Sequence, residues 1–304
     1  MTESPTLHEP MWFGALADRP VQTGLLRRED GQLCVVETFA LKQARMADVS
    51  RAFRVFGALE RLVHPNLVRV LSSAIHGESF VVTSAFVEGE SLASLFMHAA
   101  MRTTRVAVDV GCRFVVDVLA GLSAMHGMRD VGGVAIDYAH GEICPRNVII
   151  GVDGRARIAH PCRPGHDPAH PRGPALPYVA PETLTKGTVS VPADIYSAGA
   201  LLYHVLDGGP PFDADRERIL TAHDTGALPT PQVPSGLEWA APLATIAKRA
   251  MLTDPSERYA SASEMVAEVR RAMTKHLPTP EHAAVVLYEL CASSLQRRAA
   301  RLKG

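Results

Sequence analysis

The most constraining feature of this 304-residue sequence is a change of hydrophobic rhythm near residues 88–92. Before it, apolar residues come in short runs broken by turn signals. "VQTGLLRREDGQLCVVETF" is two such runs around Glu29-Asp30-Gly31, and "LVRVLSSAIHGESFVVTSAFV" is two more around His76-Gly77. Short β-branched runs flanking a turn read as hairpins. Between them, "DVSRAFRVFGALERL" repeats apolar residues at helical spacing and stops at Pro65. After residue 92 the runs are long. "VAVDVGCRFVVDVLAGLSAMHGM" (106–128) and "ADIYSAGALLYHVLDGG" (193–209) are apolar nearly all round, which predicts buried helices. Further helices are expected over 240–252, 261–275 and from Pro280 to the end.

A chain that is 47% hydrophobic and 21% charged can bury such helices. The predicted fold is therefore α+β and bilobal. Its parts are a tail over 1–10, a β-rich lobe with one main helix over 11–88, a larger, mostly helical lobe over 89–276, and a helical extension over 277–304. Lys+Arg 31 against Asp+Glu 32 gives no reason to expect a nucleic-acid partner. The five scattered cysteines, an odd number, point to reduced thiols, and no run of about 18 apolar residues predicts a spanning helix. A cytoplasmic location is the matching expectation.

Several motifs stand in a fixed order: "HPNLVRVL" (64–71), "FVEGESL" (86–92), "HGEICPRNVII" (140–150), "YVAPE" (178–182), "ADIYSAGALLYHVLDGGPPF" (193–212) and "DPSERY" (254–259). Together they resemble the landmarks of the eukaryotic-like Ser/Thr protein kinase family, in its bacterial form. The resemblance implies the bilobal kinase fold. It also implies structural roles for His140, a packing histidine; for Glu182 with Arg258, an ion pair; and for Asp194, which holds the catalytic-loop backbone.

At the chemical positions the chain departs from the family pattern. The stretch "FGALADRPVQTG" lacks the clustered glycines that fold over phosphates, and Asp18 adds a negative charge. Glu37 falls where the resemblance places the phosphate-binding lysine; Lys42 is the alternative, at the cost of an unusually long strand. Val55 stands where a helix carboxylate pairs with that lysine, and Glu60 is about half a turn away. Glu142 replaces the catalytic aspartate, keeping a carboxylate one methylene longer. Asn147 is retained, either as a loop cap or as a metal ligand. His160 replaces the aspartate that holds magnesium, an ion that prefers oxygen donors. No Ser, Thr or Tyr lies between His160 and Tyr178.

These departures lead to the expectation of a pseudokinase. On that reading the chain is not an enzyme, does not bind ATP or magnesium, and works as a protein-binding scaffold or allosteric regulator. The alternative is a weak or atypical Ser/Thr kinase, or another nucleotide-dependent transferase, that uses Glu142 and Asn147. Cys144, His160, Cys162, His166 and His170 form a His/Cys group whose spacing matches no tight zinc motif, so no metal site is expected. The basic helix 281–304 either docks a partner or packs on the helical lobe.

Overall fold

A computed structural model describes residues 21–41, 46–159 and 173–303. The first part is a four-stranded antiparallel sheet with one helix. Strands β1 (Val21–Arg27) and β2 (Leu33–Ala40) form a hairpin, and α1 (Met46–Arg61) follows. Strands β3 (Val70–His76) and β4 (Ser79–Ala85) close the sheet in the order β1-β2-β4-β3. Gly31 and Gly77 sit at the two turns with φ of 79° and 58°, where a Cβ would be strained.

Alternation along the strands decides which face meets α1. Phe39 pairs with Phe80 across β2 and β4, and Glu37 pairs with Val82. Phe80 meets Phe53 and Phe56 of α1 at ring separations of 5.2 and 5.3 Å. Val35, Glu37 and Phe39 therefore share the helix-facing side of β2.

The chain then enters the helical part through β5 (Gly89–Ser91) and α2 (Leu92–Met101). Ser91 caps α2 by accepting the Ser94 N–H. Helix α3 (Val108–His126) is buried along most of its length, as its all-round apolar pattern requires. Strands β6 (Val148–Gly151) and β7 (Ala156–Ile158) form a hairpin and join β5 in a three-stranded sheet. Helices α4 (Pro181–Lys186), α5 (Val191–Asp207), α6 (Arg216–Thr225), α7 (Ala241–Ala250), α8 (Ala262–Ala272) and α9 (Pro280–Lys303) complete the chain. Helix α5 is the second buried rod. Gly199 lies so close to Ala250 of α7 that an added Cβ would be 2.6 Å from its methyl.

The two parts are joined on one side by backbone and side-chain bonds from the segment after α1. The Val68 N–H donates to Ile158 O (2.9 Å), the Ile158 N–H donates to Asn66 O (3.0 Å), and the buried Asn66 amide donates to Ala156 O (3.0 Å). Arg54 on α1 reaches Asp130 at 2.9 Å. Among the described residues, no helix is long and apolar enough to cross a membrane.

Candidate active site

The loop 139–147 lies between α3 and β6, and buried polar bonds fix its backbone. Asp194, fully buried at the start of α5, accepts the backbone N–H groups of His140 (2.7 Å) and Gly141 (2.8 Å). Its Oδ2 also meets His126 Nε2 at 2.8 Å. A buried carboxylate needs such donors, because burying an unpaired charge is very costly. Asp194 thus ties the loop to both buried helices, α3 and α5.

His140 is fully buried and spans the loop. The Glu142 N–H donates to its Nδ1 (3.2 Å), which leaves Nε2 to carry the proton and donate to Ala159 O (3.1 Å). The ring is held as one neutral tautomer. Gly141 has φ +75°, and an added Cβ would lie 2.7 Å from a Val189 methyl. The Gly141 backbone shows what the position demands: a left-handed turn that aims an N–H at Asp194.

Asn147 donates its amide Nδ2 to the Glu142 carbonyl at 2.7 Å. That bond closes the loop on itself and fixes the orientation of the Asn147 amide. The Cys144 thiol is buried, and burial raises its pKa, so it stays protonated.

Glu182 and Arg258 meet below the loop. Arg258 Nη1 and Nη2 donate to Glu182 Oε1 and Oε2 at 2.7 and 2.9 Å. Arg258 also donates to the carbonyls of Pro192, Leu252 and Thr253. This network pins the start of α4 and α5 to the segment before α8.

On the sheet side, Glu37 is buried on β2 and Val55 is buried in the apolar core of α1. Glu60 turns the other way and accepts the Ser73 hydroxyl at 2.6 Å. Lys42, Asp18, His160, Cys162, His166 and His170 lie outside the described residues. Among the described residues, no group of three or more His, Cys, Asp or Glu could hold a metal ion. The sequence reading missed Asn66 and His126 as parts of the site's support. Neither carries a signal, because each works through a partner distant in the chain.

A strand-rich part with one helix, a helical part and a loop pinned by a buried aspartate define a protein-kinase-like architecture. The model of the protein kinase domain matches residues 22–269, and the chain belongs to that family. It is 28% identical over 235 residues to the serine/threonine-protein kinase PkaA of Streptomyces coelicolor, covering 76% of this chain and 41% of the relative. It is 28% identical over 227 residues to the serine/threonine-protein kinase PknD of Mycobacterium tuberculosis, with 70% and 32% covered. It is 27% identical over 262 residues to the serine/threonine-protein kinase PknH of Mycobacterium bovis, with 83% and 40% covered. The chain thus spans about a third to two fifths of the length of these relatives.

Family membership corrects two expectations. The chain was expected not to be an enzyme; its family and its relatives, which are named as kinases, point to one. It was expected to lack ATP and magnesium, and the same findings overturn that, since the family binds both. The physical reason is that the altered charges sit around a loop whose backbone and remaining donors are still held in place. Asn147 commits its amide nitrogen to the Glu142 carbonyl, which leaves its amide oxygen as a donor of the kind that magnesium takes, and Glu142 keeps a carboxylate at the base position.

Proposed function

We propose that the chain is an atypical protein kinase that transfers the γ-phosphoryl group of ATP to a serine or threonine hydroxyl, with Glu142 as base. The observation that carries this reading is the pinned loop. Asp194 and His140 hold its backbone, and the Asn147–Glu142 bond of 2.7 Å closes it, so the Glu142 carboxylate stands on a fixed support. Phosphoryl transfer depends mainly on such positioning and on charge stabilisation.

In the reaction the acceptor oxygen forms a bond to the γ-phosphorus. The bond from that phosphorus to the β–γ bridging oxygen breaks, ADP departs with the electron pair, and the hydroxyl proton passes to Glu142. The Asn147 amide oxygen would hold magnesium, which when bound neutralises charge on the departing diphosphate. The acceptor is a protein side chain, as the names of the relatives imply for themselves. Control by phosphorylation within 161–177 does not enter, because that segment has no hydroxyl side chain.

The test is transfer of labelled γ-phosphate from ATP with magnesium to a generic protein acceptor. Wild type should label serine or threonine. Glu142→Gln should lose on the order of 10²- to 10⁴-fold in rate, the usual contribution of a general base. Wild-type transfer no faster than that of Glu142→Gln overturns the proposal.

A further inference from the structure

A cavity of about 530 Å³ separates strands β1 and β2 from the last turns of α9. One wall is apolar, with Leu25, Val35 and Phe86; the other carries Arg297, Arg301 and Leu302. Its place in the sheet follows from register. Leu25 pairs with Val35 and Thr23 with Glu37, so all four share one face, the face that meets α1 through Phe39 and Phe80. The cavity therefore opens on the same side as Glu37, two residues away along β2.

Helix α9 is fastened there. Arg298 donates to Gly89 O and meets the buried Glu90 carboxylate at 3.1 Å, and Ser294 donates to the other Glu90 oxygen at 2.5 Å. Arg27 on β1 donates to Leu302 O at 2.7 Å. Arg298 is thus spent on holding the helix. Arg297 and Arg301 are not: both are exposed, and among the described residues neither forms a hydrogen bond or an ion pair. Four residues apart on one helix, they present their guanidinium groups on the same side.

An apolar wall that includes the Phe86 ring, facing two uncommitted guanidiniums, suits a ligand with an aromatic body and a polyanionic tail. Guanidinium forks match phosphate oxygens in geometry as well as in charge, and mostly apolar walls with a few polar groups are the usual lining of a small-molecule site. We propose that α9 completes the nucleotide site: the base lies against Leu25, Val35 and Phe86, and Arg297 with Arg301 binds the phosphates, supplying the positive charge that Glu37 does not. This rests on the phosphotransferase reading and adds a binding role for a helix outside the segment that matches the family model.

The test is calorimetric binding of ADP, adenosine and inorganic triphosphate to the full chain. Wild type should bind all three. In Arg297→Gln/Arg301→Gln the dissociation constants for ADP and triphosphate should rise by about tenfold or more, the scale of losing a charge-assisted hydrogen bond. Adenosine affinity should not change. Arg270→Gln/Arg271→Gln, on exposed α8 positions outside the cavity lining, removes the same charge and should leave all three unchanged. Both substituted pairs are exposed, and matching circular dichroism spectra confirm folding. If the α9 variant binds ADP like wild type, or the α8 variant weakens it equally, the role of α9 is overturned while the kinase reading stands. If wild type binds none of the three, both fall.

Discussion

Arg258 shows how far one side chain can organise a fold. Its side chain is fully buried, and its donors reach both Glu182 oxygens and three backbone carbonyls. Removing the cation leaves a carboxylate and three carbonyls without their donor. Arg258→Ala should cost roughly 3–5 kcal/mol, the scale for breaking one side of a buried pair. Arg258→Lys should recover little, because a single ammonium cannot reproduce the planar fork. Urea denaturation with an unchanged midpoint for Arg258→Ala would contradict this. Gly141 makes the opposite point, since here the missing side chain matters. With φ at +75° and Val189 beside it, Gly141→Ala should destabilise by about 1 kcal/mol or more. The motif showed that Arg258 and Glu182 matter, because the resemblance names them as a pair. It hid Gly141, because a positive φ leaves no mark in sequence beyond the glycine itself.

Elements were legible to the extent that their hydrophobic pattern was local. The Glu29-Asp30-Gly31 and His76-Gly77 turns, the helix before Pro65 and the two buried rods α3 and α5 all carry their own signal, and the structure places them close to where it reads. Helices α2 and α6 were not read. Both are short, and α6 has only Ile219 and His223 buried, too few to set a period. The tail was read as helical, but its route was not, because its contacts are made by side chains distant in sequence. Its start depends on the turn between β6 and β7. At Gly154, with φ +74°, an added Cβ would lie 1.8 Å from Pro280 O and 2.7 Å from Ala284 N. The turn and the first turn of α9 are in backbone contact, so Gly154→Ala must push them apart. Hydrogen exchange in Gly154→Ala should show lost protection over 280–303, with α3 and α5 unchanged. Protection of α9 equal to that of wild type would mean that the helix is held from its far end alone.

At the scale of the molecule, stability should depend on pH through two histidines that no motif singles out. His204 stacks on Phe96 at 4.0 Å and bonds to the Tyr178 hydroxyl at 2.6 Å, joining α5 to α2 and to the segment before α4. His223 bonds to the Tyr196 hydroxyl (2.9 Å) and to Thr253 Oγ1 (3.0 Å), joining α6 to α5 and to the segment after α7. Burial is the main cause that lowers both to about 4, from 6.5 for a free imidazole. Between those values the unfolded chain binds protons that the folded one refuses. The stabilisation is therefore complete above pH 6.5 and is lost as pH falls towards 4. Carboxylates held low by their partners, such as Asp153 beside Arg157, act mainly at the acid end of this range, while Asp117, raised by burial, takes up a proton in the folded state and opposes the histidines. Melting temperature should fall between pH 6.5 and 4 in wild type. In His204→Gln/His223→Gln it should start lower, from lost packing, and fall less steeply than in wild type across that interval, with His64, which burial also lowers, still contributing. A double variant that keeps the wild-type slope would show that other groups take up the protons.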